Sequence, residues 1–247
     1  MAYLRIIPSL LLSNKKLVKG VQFKNHKIAG GPNSTILAYD SQGADEISLI
    51  DIDSYHSHKE PDYETLNKIS ESCSTPITFG GGITNLDIAL KVIRSGAEKV
   101  YLNRAVLKNQ NILKELSKKI GSQAIVVGIN LIKREKKFKI YEREGSNYDL
   151  FDYLKKVQNL GAGEIKITFV EREGKKLGLD LEICKTILKF LSVPCIFEGG
   201  IGSLEDIKNA FMNNVNAVGL GTMLIFSDYN IVKIKKYLLN ENFKIRI

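Results

Sequence analysis

The sequence Phe79-Gly-Gly-Gly-Ile-Thr84 recurs in altered form as Phe197-Glu-Gly-Gly-Ile-Gly202, about 118 residues further along the chain. Two more pairs match at the same offset: Gln42–Glu46 with Leu160–Glu164, and Val100–Asn103 with Val218–Gly221. A repeat of this length is too long for a solenoid unit. It predicts two fused half-barrels, about residues 1–122 and 123–247, that close one barrel.

Short apolar, β-branched runs alternate with amphipathic segments along the chain, which is typical of parallel strands joined by crossover helices. Eight strands are predicted, at Leu4–Leu11, Glu46–Asp51, Ile77–Phe79, Lys99–Leu102, Ala124–Asn130, Glu164–Phe169, Cys195–Phe197 and Ala217–Leu220. Eight helices are predicted, near Ser34–Gln42, Tyr63–Glu71, Leu86–Ser95, Ile112–Ile120, Leu150–Leu160, Leu181–Phe190, Leu204–Asn213 and Ile231–Leu239. Together they predict an α/β fold, a single (β/α)8 TIM barrel domain over residues 1–247.

Two local patterns refine this prediction. Thr84 with Asp87 and Ser203 with Asp206 have the spacing of a capping box, which predicts where two helices begin. The segment 131–144 alternates apolar and charged residues like a two-stranded ribbon, so we expect an insertion after the fifth strand. It is either a lid over the barrel mouth or a solvated hairpin.

The composition, with 44% apolar and 26% charged side chains, excludes disordered, collagen-like and disulfide-scaffold classes. Three cysteines at unrelated spacings, Cys73, Cys184 and Cys195, provide neither a disulfide framework nor paired zinc ligands. The chain shows no signal-peptide pattern and no apolar stretch of about 18 residues, which favours a cytoplasmic protein without membrane contact.

The net charge of +9 favours anionic ligands, although a lysine-rich solubilising surface explains it equally simply. No nucleic-acid motif accompanies the charge, so no nucleic-acid partner is predicted. No motif indicates a cofactor, and none is predicted. His56 and His58 form an H-x-H, with His26 in an earlier loop, but no third ligand stands at a suggestive spacing. We therefore predict exposed loop histidines and no metal site.

Glycine-rich turns follow predicted strands at matched positions in both halves. Such turns let the backbone approach an anion, and they also simply permit tight connections. If these turns are phosphate-binding sites, the first-half turn comprises Gly80, Gly81 and Gly82, with Asn103 and Arg104 from the loop after the next strand. The second-half turn comprises Gly199, Gly200 and Gly202, with Gly174 and Lys175 from the loop after the preceding strand and Gly221 and Thr222 from the loop after the following strand. The repetition predicts a ligand with two phosphates.

Six motifs distributed over the chain resemble the cyclase subunit of imidazole glycerol phosphate synthase. They are Arg5–Pro8, Val18–Val21, Gly43–Glu46, Phe79–Ile83, Gly121–Ala124 and Gly161–Glu164. The resemblance runs from about residue 4 to the end of the chain. It implies a (β/α)8 barrel, a phosphorylated substrate at the upper mouth, and a separate glutaminase subunit at the lower mouth whose ammonia crosses the barrel interior.

The chain departs from this family where proton transfer occurs. The resemblance implies two aspartates as general acid and base at the ends of strands one and five, but Leu11 and Asn130 stand there. Leucine transfers no proton, and an amide has no useful pKa near neutrality. We therefore predict weak or absent cyclase activity.

The family's charged ring, which gates ammonia entry at the barrel floor, is retained as Arg5, Glu46, Lys99 and Glu164, with Thr78 expected to line the channel. Two interpretations remain. The ring is either a working gate for ammonia, or four charges that neutralise one another and only close the floor of the barrel. The family also has a flap over the substrate at the loop holding Lys15, Lys16 and Lys19, where a solvated loop is equally consistent with the spacing.

Three hypotheses follow. The first is a variant that conducts ammonia from a glutaminase to an acceptor, together with a sugar amidotransferase that installs acetamidino groups on surface glycans. The second relocates catalysis to carboxylates near the strand ends, with Asp51, Asp53, Glu171, Glu173 and Glu198 as candidates. The third is a non-catalytic scaffold that activates the glutaminase.

Overall fold

The structure is a computed structural model that describes residues 3–54, 59–135, 137–142 and 148–246. The strands are β1 (Arg5–Ser13), β2 (Lys16–Val21), β3 (Lys24–Gly30), β4 (Ile47–Asp51), β5 (Ile77–Gly80), β6 (Lys99–Leu102), β7 (Ile125–Arg134), β8 (Lys137–Ile140), β9 (Glu164–Phe169), β10 (Cys195–Glu198) and β11 (Ala217–Leu220). The helices bounded within these ranges are α1 (Pro32–Ser41), α2 (Tyr63–Ser70), α3 (Leu86–Arg94), α4 (Arg104–Lys108), α5 (Asn111–Ile120), α6 (Leu150–Asn159), α7 (Leu181–Lys189), α8 (Leu204–Met212), α9 (Thr222–Ile225) and α10 (Ile231–Asn240).

Eight parallel strands form a closed barrel. They pair in the order β1, β4, β5, β6, β7, β9, β10 and β11. The last strand then pairs with the first, with Arg5 opposite Ala217 and Ile7 opposite Gly219. Helices separate successive barrel strands, so the prediction of a (β/α)8 TIM barrel is confirmed.

Alternation along the strands separates two environments. Ile6 and Leu10 of β1 belong to the main core. Ile7 belongs instead to a small separate cluster with Ile196 and Ala217. Because successive side chains point to opposite faces of a strand, Arg5, Ile7, Ser9 and Leu11 line the barrel interior. The same alternation places alternate residues of the other seven strands inside.

The structure extends two predicted strands and adds a hairpin. Strand β1 continues to Ser13 and then folds back through β2 and β3 as an antiparallel meander. Of the two readings of this segment, a flap over the substrate or a solvated loop, the solvated loop is wrong at Lys19, which is buried. Strand β7 continues to Arg134 and pairs antiparallel with β8, so the alternating segment forms a ribbon across its described residues. Residues 136, 143 and 144 of that segment lie outside the described ranges.

The predicted cap of one helix is wrong by one residue, whereas the predicted start of that helix at Leu86 is confirmed. Asn85, and not Thr84, caps α3, because its side chain accepts a hydrogen bond from the Ile88 N–H at 3.0 Å. Asparagine is as good a cap as threonine, and its position one residue later lets the helix begin at Leu86. Ser203 and Asp206 form the expected capping box at α8. Across the described residues, no helix is both long enough and apolar enough to cross a bilayer.

Candidate functional site

Four charged side chains meet at the N-terminal end of the barrel. Arg5, Lys99 and Glu164 open strands β1, β6 and β9, and Glu46 directly precedes β4. The strand starts of a (β/α)8 barrel lie at its lower mouth. These four residues, here called the floor ring, are therefore brought together where the sequence placed the gate.

The floor ring alternates in charge and closes on itself. The Lys99 Nζ lies 2.7 Å from both Glu46 Oε2 and Glu164 Oε2. Arg5 contacts Glu46 Oε2 at 3.3 Å and pairs with Glu164 on its other side. Thr78 adds a hydrogen bond of 2.6 Å from its hydroxyl to Glu46 Oε1. Each carboxylate therefore has two cationic partners, and the two cations remain about one quarter exposed.

The ring favours the charged state of Lys99 and Glu164. Burial opposes ionisation of Glu164, but hydrogen bonds and attraction from Arg5 and Lys99 outweigh it and lower its pKa. Burial likewise opposes charge on Lys99, yet Glu46 and Glu164 raise the pKa of Lys99. The ring therefore presents fixed charges of both signs, at Lys99 and Glu164, to anything that enters.

A lysine that sequence reasoning missed occupies the barrel axis above the ring. The Lys166 Nζ lies 2.9 Å from the hydroxyls of Ser9 and Ser48 and 3.0 Å from Glu198 Oε2. Only 2% of Lys166 is exposed. Glu198 also accepts a hydrogen bond of 2.6 Å from the Thr168 hydroxyl. The ion pair therefore has partners on several barrel strands.

Tyr101 lies beside Lys166 in the barrel interior. Its ring lies 5.6 Å from the Lys166 Nζ, a cation–π distance. Glycine is required at 128 because a Cβ there would collide with the Tyr101 hydroxyl. Tyr101, Lys166 and Glu198 thus form a polar layer between the floor ring and the upper mouth.

The upper mouth holds a cavity of about 490 Å³. Leu11 and Asn130, the residues at the two aspartate positions, both line it, as do Tyr101, Lys166 and Glu198. The two positions where the sequence lacks an acid and a base therefore share one cavity with the polar layer.

The candidate carboxylates separate into two groups. Asp51 and Glu198 line the cavity, whereas Asp53, Glu171 and Glu173 are absent from its lining. Asp51 accepts four hydrogen bonds, from the amides of Asp53, Ser54 and Asp62 and from the Ser54 hydroxyl. Its oxygens hold the following loop, so among the candidate carboxylates Glu198 is the one in the cavity that pairs with a cation.

The two glycine-rich turns also differ. Gly81, Gly82, Asn103 and Arg104 line the cavity, and Arg104 pairs with Glu142 at 2.9 Å. None of the second-half residues Gly174, Gly199, Gly200, Gly221 and Thr222 lines it. Within the described ranges, the buried Thr222 hydroxyl has no hydrogen-bond partner.

In the part of the chain that the structure describes, no three His, Cys, Asp or Glu side chains are grouped to hold a metal ion. His26 lines the cavity. His56 and His58 lie outside the described residues.

Removing Lys166 is expected to destabilise the protein strongly, because it leaves the Glu198 carboxylate buried without its cation. We expect Lys166→Met to lower the free energy of unfolding in urea by about 3–5 kcal/mol. The double substitution Lys166→Met/Glu198→Gln should recover part of that loss. The matched control is Lys185→Met, which breaks an exposed pair with Glu182 and should cost less than about 1 kcal/mol. Equal losses for the two lysines would contradict this role for Lys166.

The closed parallel barrel with a cavity at its C-terminal mouth defines the class: a (β/α)8-barrel protein. The chain matches the family described as histidine biosynthesis protein over residues 5–230. It is similar to the imidazole glycerol phosphate synthase subunit HisF of Wolinella succinogenes, with 34% identity over 98% of each chain. The corresponding subunit of Dictyoglomus thermophilum is 34% identical over 98% of each chain. That of Prochlorococcus marinus is 36% identical over 100% of this chain and 98% of the relative. The chain belongs to the histidine biosynthesis protein family and is HisF-like.

Proposed function

We propose that this chain is the synthase subunit of a glutamine-dependent amidotransferase complex. A glutaminase docks at the lower mouth, and its ammonia enters through the floor ring. The ammonia crosses the interior and reaches a phosphorylated acceptor in the upper cavity. The observation that carries the proposal is the closed floor ring of alternating charges, partly exposed at the mouth where a partner would dock.

The chemistry at the upper mouth differs from ring closure by a cyclase. Leu11 and Asn130 line the cavity and supply neither an acid nor a base. We propose that the acceptor in the cavity is a phosphorylated sugar, and that this chain acts together with a sugar amidotransferase that installs acetamidino groups on surface glycans. Lys166 has to leave the axis while ammonia passes, since it lies between the ring and the cavity.

A second candidate function is a non-conducting activator of the glutaminase. One observation favours it: Tyr101, Lys166 and Glu198 contact one another in the barrel interior above the ring. In that case the barrel would stimulate glutamine hydrolysis without passing the product through its interior.

The test is reconstitution with a candidate glutaminase. We expect addition of this chain to raise the rate of glutamine hydrolysis, because docking at the ring couples the two proteins. With amidotransferase and acceptor present, the amide nitrogen of labelled glutamine should appear in the aminated product. Stimulated hydrolysis without labelled product would favour the activator, and unstimulated hydrolysis would contradict both functions.

A further inference from the structure

The head group of Lys166 lies among oxygen atoms that match its hydrogens one for one. The Lys166 Nζ carries three N–H donors. Three oxygens receive them: the Ser9 and Ser48 hydroxyls at 2.9 Å and Glu198 Oε2 at 3.0 Å. The Tyr101 ring, 5.6 Å from Nζ, adds a cation–π contact. Ser9, Ser48, Tyr101 and Glu198 are therefore called the ammonium site, after the group that occupies it.

The acidic member of the ammonium site is held in its charged form. Burial opposes ionisation of Glu198, but Lys166 and the hydroxyls of Ser9 and Thr168 lower its pKa. The Thr168 hydroxyl donates to Glu198 Oε1 at 2.6 Å, and Oε2 is the oxygen that contacts Lys166. A buried carboxylate of this kind needs N–H donors beside it, because an unpaired buried charge is costly.

The ammonium site lies one inward-facing position above the floor ring. Glu164 of the ring and Lys166 are two residues apart on β9, and Glu46 of the ring precedes Ser48 by the same interval. Alternate residues of a strand share a face, so each interval is about 6–7 Å along the strand. Ser48 is also paired in register with Thr78, whose hydroxyl donates to Glu46. A molecule that moves upward from the ring therefore reaches the ammonium site next.

The ammonium site also borders the upper cavity. Ser9, Tyr101, Lys166 and Glu198 line that cavity, whereas Ser48 does not. Ser48 thus marks the lower side of the site, toward the floor ring. The lysine head group is carried on a flexible four-carbon stem, and the cavity gives it space into which to turn. An occupant other than Lys166 can then take its place between the same oxygens.

We infer that the ammonium site is a holding site for the nitrogen released by the glutaminase, and that Lys166 occupies it when no nitrogen is present. Ammonia has three N–H donors, as the lysine head group does, so the same three oxygens satisfy it. In the wild-type chain the charge of Lys166 stays close by, which favours neutral ammonia over a second cation. The inference rests on the proposed function, because it assigns a station on the path of the ammonia.

The first experiment uses the chain alone and the variant Lys166→Ala, which deletes the head group and most of the stem. The charge of the lysine is then gone, so ammonium and methylammonium chloride are the probes. We expect 100 mM of either salt to raise the folding equilibrium constant, measured by urea unfolding, about tenfold over its value in potassium chloride, as an occupant with a dissociation constant of about 10 mM does. Potassium is the matched control because it has the charge and nearly the size of ammonium but no N–H groups. The wild-type chain should not distinguish the salts, since Lys166 holds the site.

A second variant shows whether Glu198 carries this preference. Adding Glu198→Gln to Lys166→Ala should abolish the advantage of ammonium over potassium, because it removes the charged acceptor. If Lys166→Ala does not fold in buffer, the yield of refolded protein in each salt is compared, and the same advantage of ammonium is expected. Equal effects of the two salts, or an advantage that survives Glu198→Gln, would overturn the inference.

The second experiment tests whether the site lies on the path of the ammonia. Ser48→Ala removes one acceptor without changing the charge or the cavity lining. In the complex with the glutaminase, we expect labelled product per glutamine hydrolysed to fall about threefold, the effect of one lost neutral hydrogen bond, because ammonia is held less well above the ring. The matched control Ser74→Ala removes an exposed hydroxyl that donates to Asp40 and should leave coupling unchanged.

The two experiments separate the inference from the proposed function. Unchanged coupling in Ser48→Ala, with normal coupling in the wild-type chain, would reject the holding site and leave the proposed function intact. Absent coupling in the wild-type chain would reject the proposed function and the holding role with it. Stabilisation of Lys166→Ala by ammonium would in that case still show the binding site, because that measurement needs no glutaminase.

Discussion

A bacterium that lacks its own imidazole glycerol phosphate synthase cyclase subunit will not grow without histidine when it expresses this chain. The reason lies in the upper cavity, where Leu11 and Asn130 replace the proton-transferring pair implied by the family resemblance. Loss of one positioned acid or base typically lowers a rate by about 10²–10⁴-fold. Loss of both leaves too little turnover to support growth.

The matched control is the HisF subunit of Wolinella succinogenes, expressed in the same strain to the same level. It is 34% identical to this chain over 98% of each length. Growth with the control and none with this chain is the expected outcome. Growth at the control rate would show that ring closure proceeds without the two aspartates, and would favour the cyclase over an altered amidotransferase subunit.

Replacing Lys99 by alanine will uncouple glutamine hydrolysis from amination. Lys99 bridges Glu46 and Glu164, each at 2.7 Å. Its removal opens the floor ring and leaves two carboxylates facing one remaining cation. Ammonia either passes through the ring or leaks into the solution, and each route has its own free-energy barrier. A change of about 1.4 kcal/mol in the difference between the two barriers suffices for a tenfold fall in the fraction of ammonia that reaches the acceptor. We expect about that fall in labelled product per glutamine hydrolysed.

Lys68→Ala is the control for this substitution. It removes the same charge from an exposed pair with Glu64 on α2, away from the interior. Glu164→Ala should uncouple as Lys99→Ala does, because it breaks the ring from its acidic side. Unchanged coupling in both ring variants would mean that the ring only closes the barrel floor.

The fold was predictable because the chain repeats its own pattern. Apolar strands alternate with amphipathic helices throughout, and the Phe79–Thr84 motif has a counterpart in the second half. Strand ends were less predictable. Strand β7 runs on to Arg134 because its alternating residues pair with β8 beyond the barrel rim.

The β2–β3 hairpin was not predicted because its turns lack the usual signals. Asn14 and Lys15 take positive φ at the first turn, and Gln22 and Phe23 do so at the second. Asparagine and glycine favour such two-residue turns, but glutamine and phenylalanine rarely adopt them. The consequence is a buried Lys19 in a segment for which the sequence left a flap and a solvated loop equally open.

The polar layer was missed for a different reason. Lys166 lies in Glu164–Phe169, a strand buried along its full length. Strand alternation from Glu164 does place Lys166 and Thr168 inside the barrel, and this was the available signal. Its partners Ser9, Ser48 and Glu198 come from three other strands, and no local pattern relates them.

Isotope dilution tests the conduction of ammonia through the barrel most directly. The complex is supplied with amide-labelled glutamine and a large excess of unlabelled ammonium in the solution, and the label in the aminated sugar is measured. If ammonia travels inside the barrel, the product keeps nearly the full label of the glutamine. Label diluted in proportion to the bulk ammonium would show that the nitrogen arrives from solution, and would contradict conduction.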